Sequence, residues 1–145
     1  MKNFLQLRGM KSSRKATFVL LAICGVSLTV AFFIGIDDNP PGLLLCYLAA
    51  TTLILAFVHT WRKVKYFLIL AGSSLIGFLL FAILHNVFYG LAQMAADIIV
   101  LSQLLEFLDA GFFLVAIIVC PAGLLVGAAG SVLTYLKQRK IPGLN

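Results

Sequence analysis

Charge is scarce in this chain and missing from its longest stretches. Asp, Glu, Lys and Arg make up only 11% of the 145 residues, where a soluble domain carries roughly a quarter. Hydrophobic residues make up 62%. That balance excludes a water-soluble globule. Cysteine is also sparse. Cys24, Cys46 and Cys120 are dispersed through apolar sequence, and no C-x-x-C pair occurs. This excludes a disulfide framework and the paired thiols of a membrane thiol–quinone oxidoreductase. The three thiols read as small packing residues. Ten-residue segments of alternating polarity are missing too, which excludes a membrane β-barrel. No G-x-S-x-G, H-E-x-x-H or EF-hand spacing occurs. No histidine–carboxylate pair is visible within an apolar segment, so catalysis has little support and no metal or cofactor is expected.

What the chain does have is four long uncharged segments: 16–36, 43–60, 66–84 and 112–136. A hydrocarbon core about 30 Å thick needs roughly 20 helical residues. Inside lipid the backbone must satisfy its own hydrogen bonds, so the segments read as helices. The first segment is too long for the apolar part of a typical signal peptide, and no clear cleavage site follows it. It reads as an uncleaved first span.

The few charges are sorted by sign. Lys2, Arg8, Lys11, Arg14 and Lys15 precede the first segment, and Arg62, Lys63 and Lys65 follow the second. Lys137, Arg139 and Lys140 follow the fourth. Asp37 and Asp38 separate the first two segments, while Asp97, Glu106 and Asp109 separate the last two. Basic loops are retained on the cytoplasmic side. The expected architecture is therefore an all-α integral membrane protein, a single domain over residues 1–145. It is an up-down four-helix bundle in the cell membrane with both termini cytoplasmic. The net charge of +6 does not point to nucleic acid, because positive-inside sorting already accounts for the basic residues.

The connections add detail. In the turn Asp-Asp-Asn-Pro-Pro-Gly, Asn39 suits an N-cap and Pro40 the first helical turn. Trp61 and Tyr66 suit interfacial anchors. The basic arm, residues 1–15, either lies on the anionic inner surface or only sets topology. Between the third and fourth segments, Ser102, Gln103, Glu106 and Asp109 share one helical face, opposite Ile98, Leu101, Leu104, Leu105 and Leu108. This predicts an amphipathic outer helix on the membrane surface, or an extension of a span. A helix from Asp97 to Lys137 would be roughly 60 Å long, so a break near Ala110–Gly111 is expected.

Two sets of residues stand out. His85, Tyr89, Gln93 and Asp97 recur every four residues, with Asn86 beside them. If the third helix continues past Leu84, they form a polar stripe facing the outer side. With Asp37 and Asp38 they are the candidate ligand or ion site; the bland alternative is the wet end of a helix. His59 reads as an interfacial polar residue, able to respond to pH near neutrality. The second set is Gly123, Gly127, Gly130 and Ser131, with Ser73 and Gly77 as a smaller counterpart. Such small residues let membrane helices approach closely; Val126, beside them, is expected to face lipid. Pro121 is expected to kink the fourth helix.

These features favour an accessory or structural subunit, not an enzyme, that packs with itself or with a larger membrane protein. The alternative is a small transporter or channel with an outward-facing polar entrance. A weaker alternative is a membrane enzyme using His85 and the outer carboxylates. The lipid bilayer is the partner common to all three.

Overall fold

The computed structural model describes residues 2–36 and 39–139, with side chains from residue 13 on. Every regular element among them is helical. The helices are α1 (Lys2–Ile34), α2 (Pro40–Val58), α3 (Val64–Met94), α4 (Ile99–Leu114) and α5 (Cys120–Arg139). Four helical stretches among the described residues are long and apolar enough to cross a membrane: Ser13–Ile34, Pro40–Val58, Val64–Met94 and Ile99–Arg139. They support a membrane location. The chain divides after Lys63 into two compact units, each a helical hairpin.

The first hairpin pairs α1 with α2. Its buried positions are small: Cys24, Ser27 and Ala31 on α1, and Gly42, Cys46, Ala49, Thr52 and Ala56 on α2. Helices meeting over such residues bring their backbones close, which lipid-embedded packing favours. The sequence reading placed its packing stripes in the other hairpin and missed this one. Thr52 is spared an unsatisfied hydroxyl by donating to the carbonyls of Leu48 and Ala49, at 2.8 and 3.1 Å.

The turn depends on two glycines. Gly35 has φ +87°, and its N–H donates to the Ala31 carbonyl at 2.9 Å. This is a left-handed helix stop that favours glycine. Gly42 lies so close to the Gly35 carbonyl that an added Cβ would overlap that oxygen and meet the carbonyl carbon at 3.0 Å. Asn39 takes the N-cap position, followed by Pro40 and Pro41, but its side chain makes no cap hydrogen bond to α2. Its amide donates backward to the Ile34 carbonyl at 3.1 Å. It therefore ties off the end of α1, where the expectation was a cap on α2. We expect Gly42→Ala to lower the melting temperature of the detergent-solubilised protein clearly. Gly25→Ala, whose new methyl would meet nothing within 4 Å, should leave it unchanged.

The second hairpin is longer. α3 has 31 residues, about 46 Å at 1.5 Å per residue. It returns through a short turn into α4, which packs on it, as does α5. Residues 99–139 run as one 41-residue helical stretch. The expected break at Ala110–Gly111 is not there; both residues lie inside α4. The irregularity falls later, as a π-helical turn over Val115–Val119 in which the Cys120 N–H donates to the Val115 carbonyl. Pro121 explains its place. A proline ring collides with the carbonyl four residues back, here that of Ile117. Widening the turn before the proline relieves that collision without ending the helix.

The seam between α3 and α5 is tight. A Cβ on Gly127 would lie 2.7 Å from the Ala71 nitrogen and 2.8 Å from the Phe67 carbonyl oxygen. On Gly130 it would overlap the Phe67 ring. Gly123 and Ser131 are buried, and Ser131 donates to the Ala128 carbonyl at 2.7 Å. Gly77 faces the Cys120 thiol, 3.4 Å from its would-be Cβ. Ser73 does not share this seam: it is exposed and donates to the Leu70 carbonyl. Val126, expected to face lipid, is buried as well.

Candidate functional site

α3 continues past Leu84 to Met94, so His85, Asn86, Tyr89 and Gln93 all lie on one helix. Asp97 does not. It falls in the turn before α4, and it is exposed. Tyr89, Gln93 and Asn86 are exposed too, with the Asn86 amide donating to the Ala82 carbonyl at 2.8 Å. Asp37 and Asp38 lie outside the described residues. His85 is the member of the stripe that turns toward the neighbouring helix, and its partner there is Asp109.

His85 Nδ1 lies 2.6 Å from Asp109 Oδ1, with the two side chains 29% and 17% exposed. Both facing atoms are shut off from solvent, and neither has an aligned hydrogen-bond partner. The contact is a close, off-axis approach between imidazole and carboxylate. One aromatic ring meets it, and others pack together one turn away. The Phe113 ring lies 5.0 Å from the His85 ring, tilted by 45°. Phe112 stacks on Phe81 at 5.9 Å and meets Phe88 at 5.1 Å. Phe81 and Phe88 sit one turn to either side of His85 on α3, and Phe112 and Phe113 follow Asp109 by one turn on α4.

Helical geometry makes this constellation. On α3, positions 67, 74, 81 and 88 repeat every seven residues, and His85 is four on from Phe81. On α4, Ser102, Leu105, Asp109 and Phe112 form the half-buried side that meets α3. Ile98, Leu101 and Leu104 point away and are exposed. Leu105 and Leu108, placed with them on the apolar face, turn partly inward. The contact with α3 divides both predicted faces of α4. Ser102 and Asp109 turn inward together with Leu105, Leu108 and Phe112, while Gln103 and Glu106 look outward together with Ile98, Leu101 and Leu104. Glu106, at the edge of the polar face, is exposed and accepts from the Ser102 hydroxyl at 3.3 Å.

The sequence reading missed the His85–Asp109 pair because it looked for partners along one helix. The available signal was distance from a turn. His85 and Asp109 lie twelve positions either side of Asp97, so an antiparallel hairpin turning there brings them level.

A second histidine contact closes the other hairpin. His59 follows α2, and its Nδ1 lies 3.1 Å from the carbonyls of Leu55 and Ala56. With Nδ1–H donating to those carbonyls, Nε2 is free to accept from the Ser13 hydroxyl 3.3 Å away on α1. The ring therefore fastens the two helices near the basic ends. No group of three or more metal-ligating side chains gathers among the described residues. An apolar groove beside α3, lined by Leu79, Ala82, Ile83, Asn86 and Val87, encloses about 430 Å³ and does not involve the His85–Asp109 pair. Comparison of the chain with protein-family models, curated proteins and solved structures finds no match.

Proposed function

We propose that the protein is an accessory or structural subunit of a larger membrane assembly. The observation that carries this reading is the exposed apolar side of α4. Ser102 and Asp109, with His85 of α3, are engaged in or turned toward contact inside the second hairpin, while Ile98, Leu101, Leu104, Val100 and Phe107 face outward. Such a surface is built to meet lipid or another apolar protein. The connections between its helices are also short. The reading is tested by gentle affinity purification from native membranes. A partner recovered at fixed stoichiometry supports it. Recovery of this chain alone, with selective solute flux after reconstitution into liposomes, refutes it.

The alternative is a small transporter or channel. The observation that favours it is the His85–Asp109 pair, since ionisable groups at membrane depth commonly mark a pathway. Tyr89, Gln93 and Asp97 would then form its polar entrance. A weaker alternative is an enzymatic role for the same pair.

The four helices are proposed to cross the cell membrane as an up-down bundle, with both termini cytoplasmic. The support is the segregation of Lys and Arg from Asp and Glu. Cysteines introduced at positions 2 and 140 should be protected from a membrane-impermeant thiol reagent in intact cells, while one at position 38 should be labelled. A labelled terminus would reverse the orientation.

A further inference from the structure

We infer that the basic end of the first hairpin binds the phosphate headgroup of an anionic phospholipid. The site is the Ser13–His59 junction, with Arg14 and Lys15 on α1 and Lys63 in the chain after α2. The inference does not depend on the accessory-subunit reading.

Depth is the first argument. The apolar stretch of α1 begins at Ser13, and that of α2 ends at Val58. The Ser13 hydroxyl meets His59 Nε2 at 3.3 Å, so the two helices leave the apolar zone level with each other. The 22 residues from Ser13 to Ile34 are about 33 Å long, close to a hydrocarbon core of about 30 Å. The junction therefore sits where lipid phosphates sit.

Charge is the second argument. Arg14 and Lys15 follow Ser13 directly, and both are exposed. The chain turns after α2, with the Trp61 N–H donating to the Val58 carbonyl at 2.9 Å. Lys63, also exposed, lies within about 14 Å of His59 even if the chain between them is extended. The acidic residues of this hairpin, Asp37 and Asp38, come after α1, a full span away. Lys and Arg form charge-assisted hydrogen bonds with phosphate oxygens, and the Ser13 hydroxyl adds a neutral donor. A zwitterionic headgroup would bring a further cation into this set. An anionic one does not.

The apolar surface beside the cations decides between a lipid and a soluble phosphate compound. On α1, Arg14, Phe18, Leu21 and Gly25 share one face, next to the seam that holds Ser13, Cys24 and Ser27. Phe18 is 73% exposed and Leu21 39%, and a Cβ on Gly25 would meet nothing within 4 Å. A phosphate held by Arg14 thus has an open apolar track running directly from it into the membrane. An acyl chain fills such a track; a soluble phosphate leaves it bare.

The test uses the full chain in mild detergent, titrated with dioleoyl phosphatidylglycerol or dioleoyl phosphatidylcholine and read by native mass spectrometry. The expected result is one phosphatidylglycerol held per chain, with phosphatidylcholine bound roughly tenfold or more weakly. Arg14→Gln and Lys63→Gln should each lower the affinity for phosphatidylglycerol roughly fivefold, and together by more. Lys137→Gln combined with Arg139→Gln removes the same charge from the end of α5 and should leave binding unchanged. All these variants should melt like the wild type, since the substituted residues are exposed. Equal retention of the two lipids would overturn the inference. So would equal losses in the two double variants, because net charge alone would then be at work. Displacement of the lipid by millimolar inorganic phosphate would also overturn it, by assigning the site to a soluble ligand.

Discussion

Gly127→Leu is expected to destabilise the protein by about 1–3 kcal/mol, towards the upper end of that range for overpacking. Two of the three atoms that its Cβ would strike, the Ala71 nitrogen and the Phe67 carbonyl oxygen, are backbone. A clash with a flexible side chain can be relieved by rotation. A clash with backbone is relieved only by moving α3 away from α5, which also loosens the contacts at Gly123, Gly130 and Ser131. The control is Gly25→Leu, the same enlargement at a glycine whose Cβ would meet nothing within 4 Å. Thermal unfolding in detergent should show a large loss for the first variant and almost none for the second. Equal stability would remove the close seam. Val126 cannot serve as the control, since it is 7% exposed and its enlargement would overpack the same interface.

The second large effect belongs to the His85–Asp109 pair. Removing one partner of a buried polar pair leaves the other group desolvated and without compensation, which costs roughly 1–3 kcal/mol. Both side chains here retain some exposure, so His85→Leu and Asp109→Leu should fall at or below the low end of that range. The double variant should recover most of the loss. Two leucines among Phe81, Phe88, Phe112 and Phe113 replace a desolvated pair with apolar packing, which is often neutral or stabilising. A double-mutant cycle on unfolding in detergent measures the coupling. Strictly additive losses would mean that the 2.6 Å contact contributes nothing, and the case for a site between α3 and α4 would weaken with it.

The helices were legible in the sequence because lipid imposes a simple rule: about 20 uncharged residues, helical, bounded by polar turns. All four stretches appear, and Gly127 and Gly130 lie where α5 comes close to α3. Boundaries and facing were less legible. The third and fourth stretches run well past the most apolar cores, because helix formation needs intrahelical bonds and not apolarity. Pro121 is preceded by one widened turn, which accommodates its ring without ending the helix. α4 was the hardest to read. Its period was correct, but a period fixes which residues share a face, not whether that face meets water or protein. The solvent decides that. Here Ser102 and Asp109 turn inward, while Gln103 and Glu106 of the same face stay outside.

The same limit applied to the site. Spacing along α3 grouped His85 with Tyr89, Gln93 and Asp97, since residues four apart share a face. It could not supply the neighbour across the hairpin, which depends on where the chain turns. The turn at residues 95–98 leaves Asp97 off the helix and brings Asp109 to His85. In the first hairpin, the small residues Cys24, Ser27, Ala31, Cys46 and Ala49 were present but unread, because the sulfur and hydroxyl residues hide a stripe that glycine alone would have announced.

Native mass spectrometry of the protein released from its own membrane in mild detergent tests the central claim most directly, because one spectrum reports both bound protein and bound small molecules. The account predicts a complex of this chain with a different membrane protein at fixed stoichiometry. A spectrum holding only the free chain, or the chain with a retained small solute and no second protein, would contradict it.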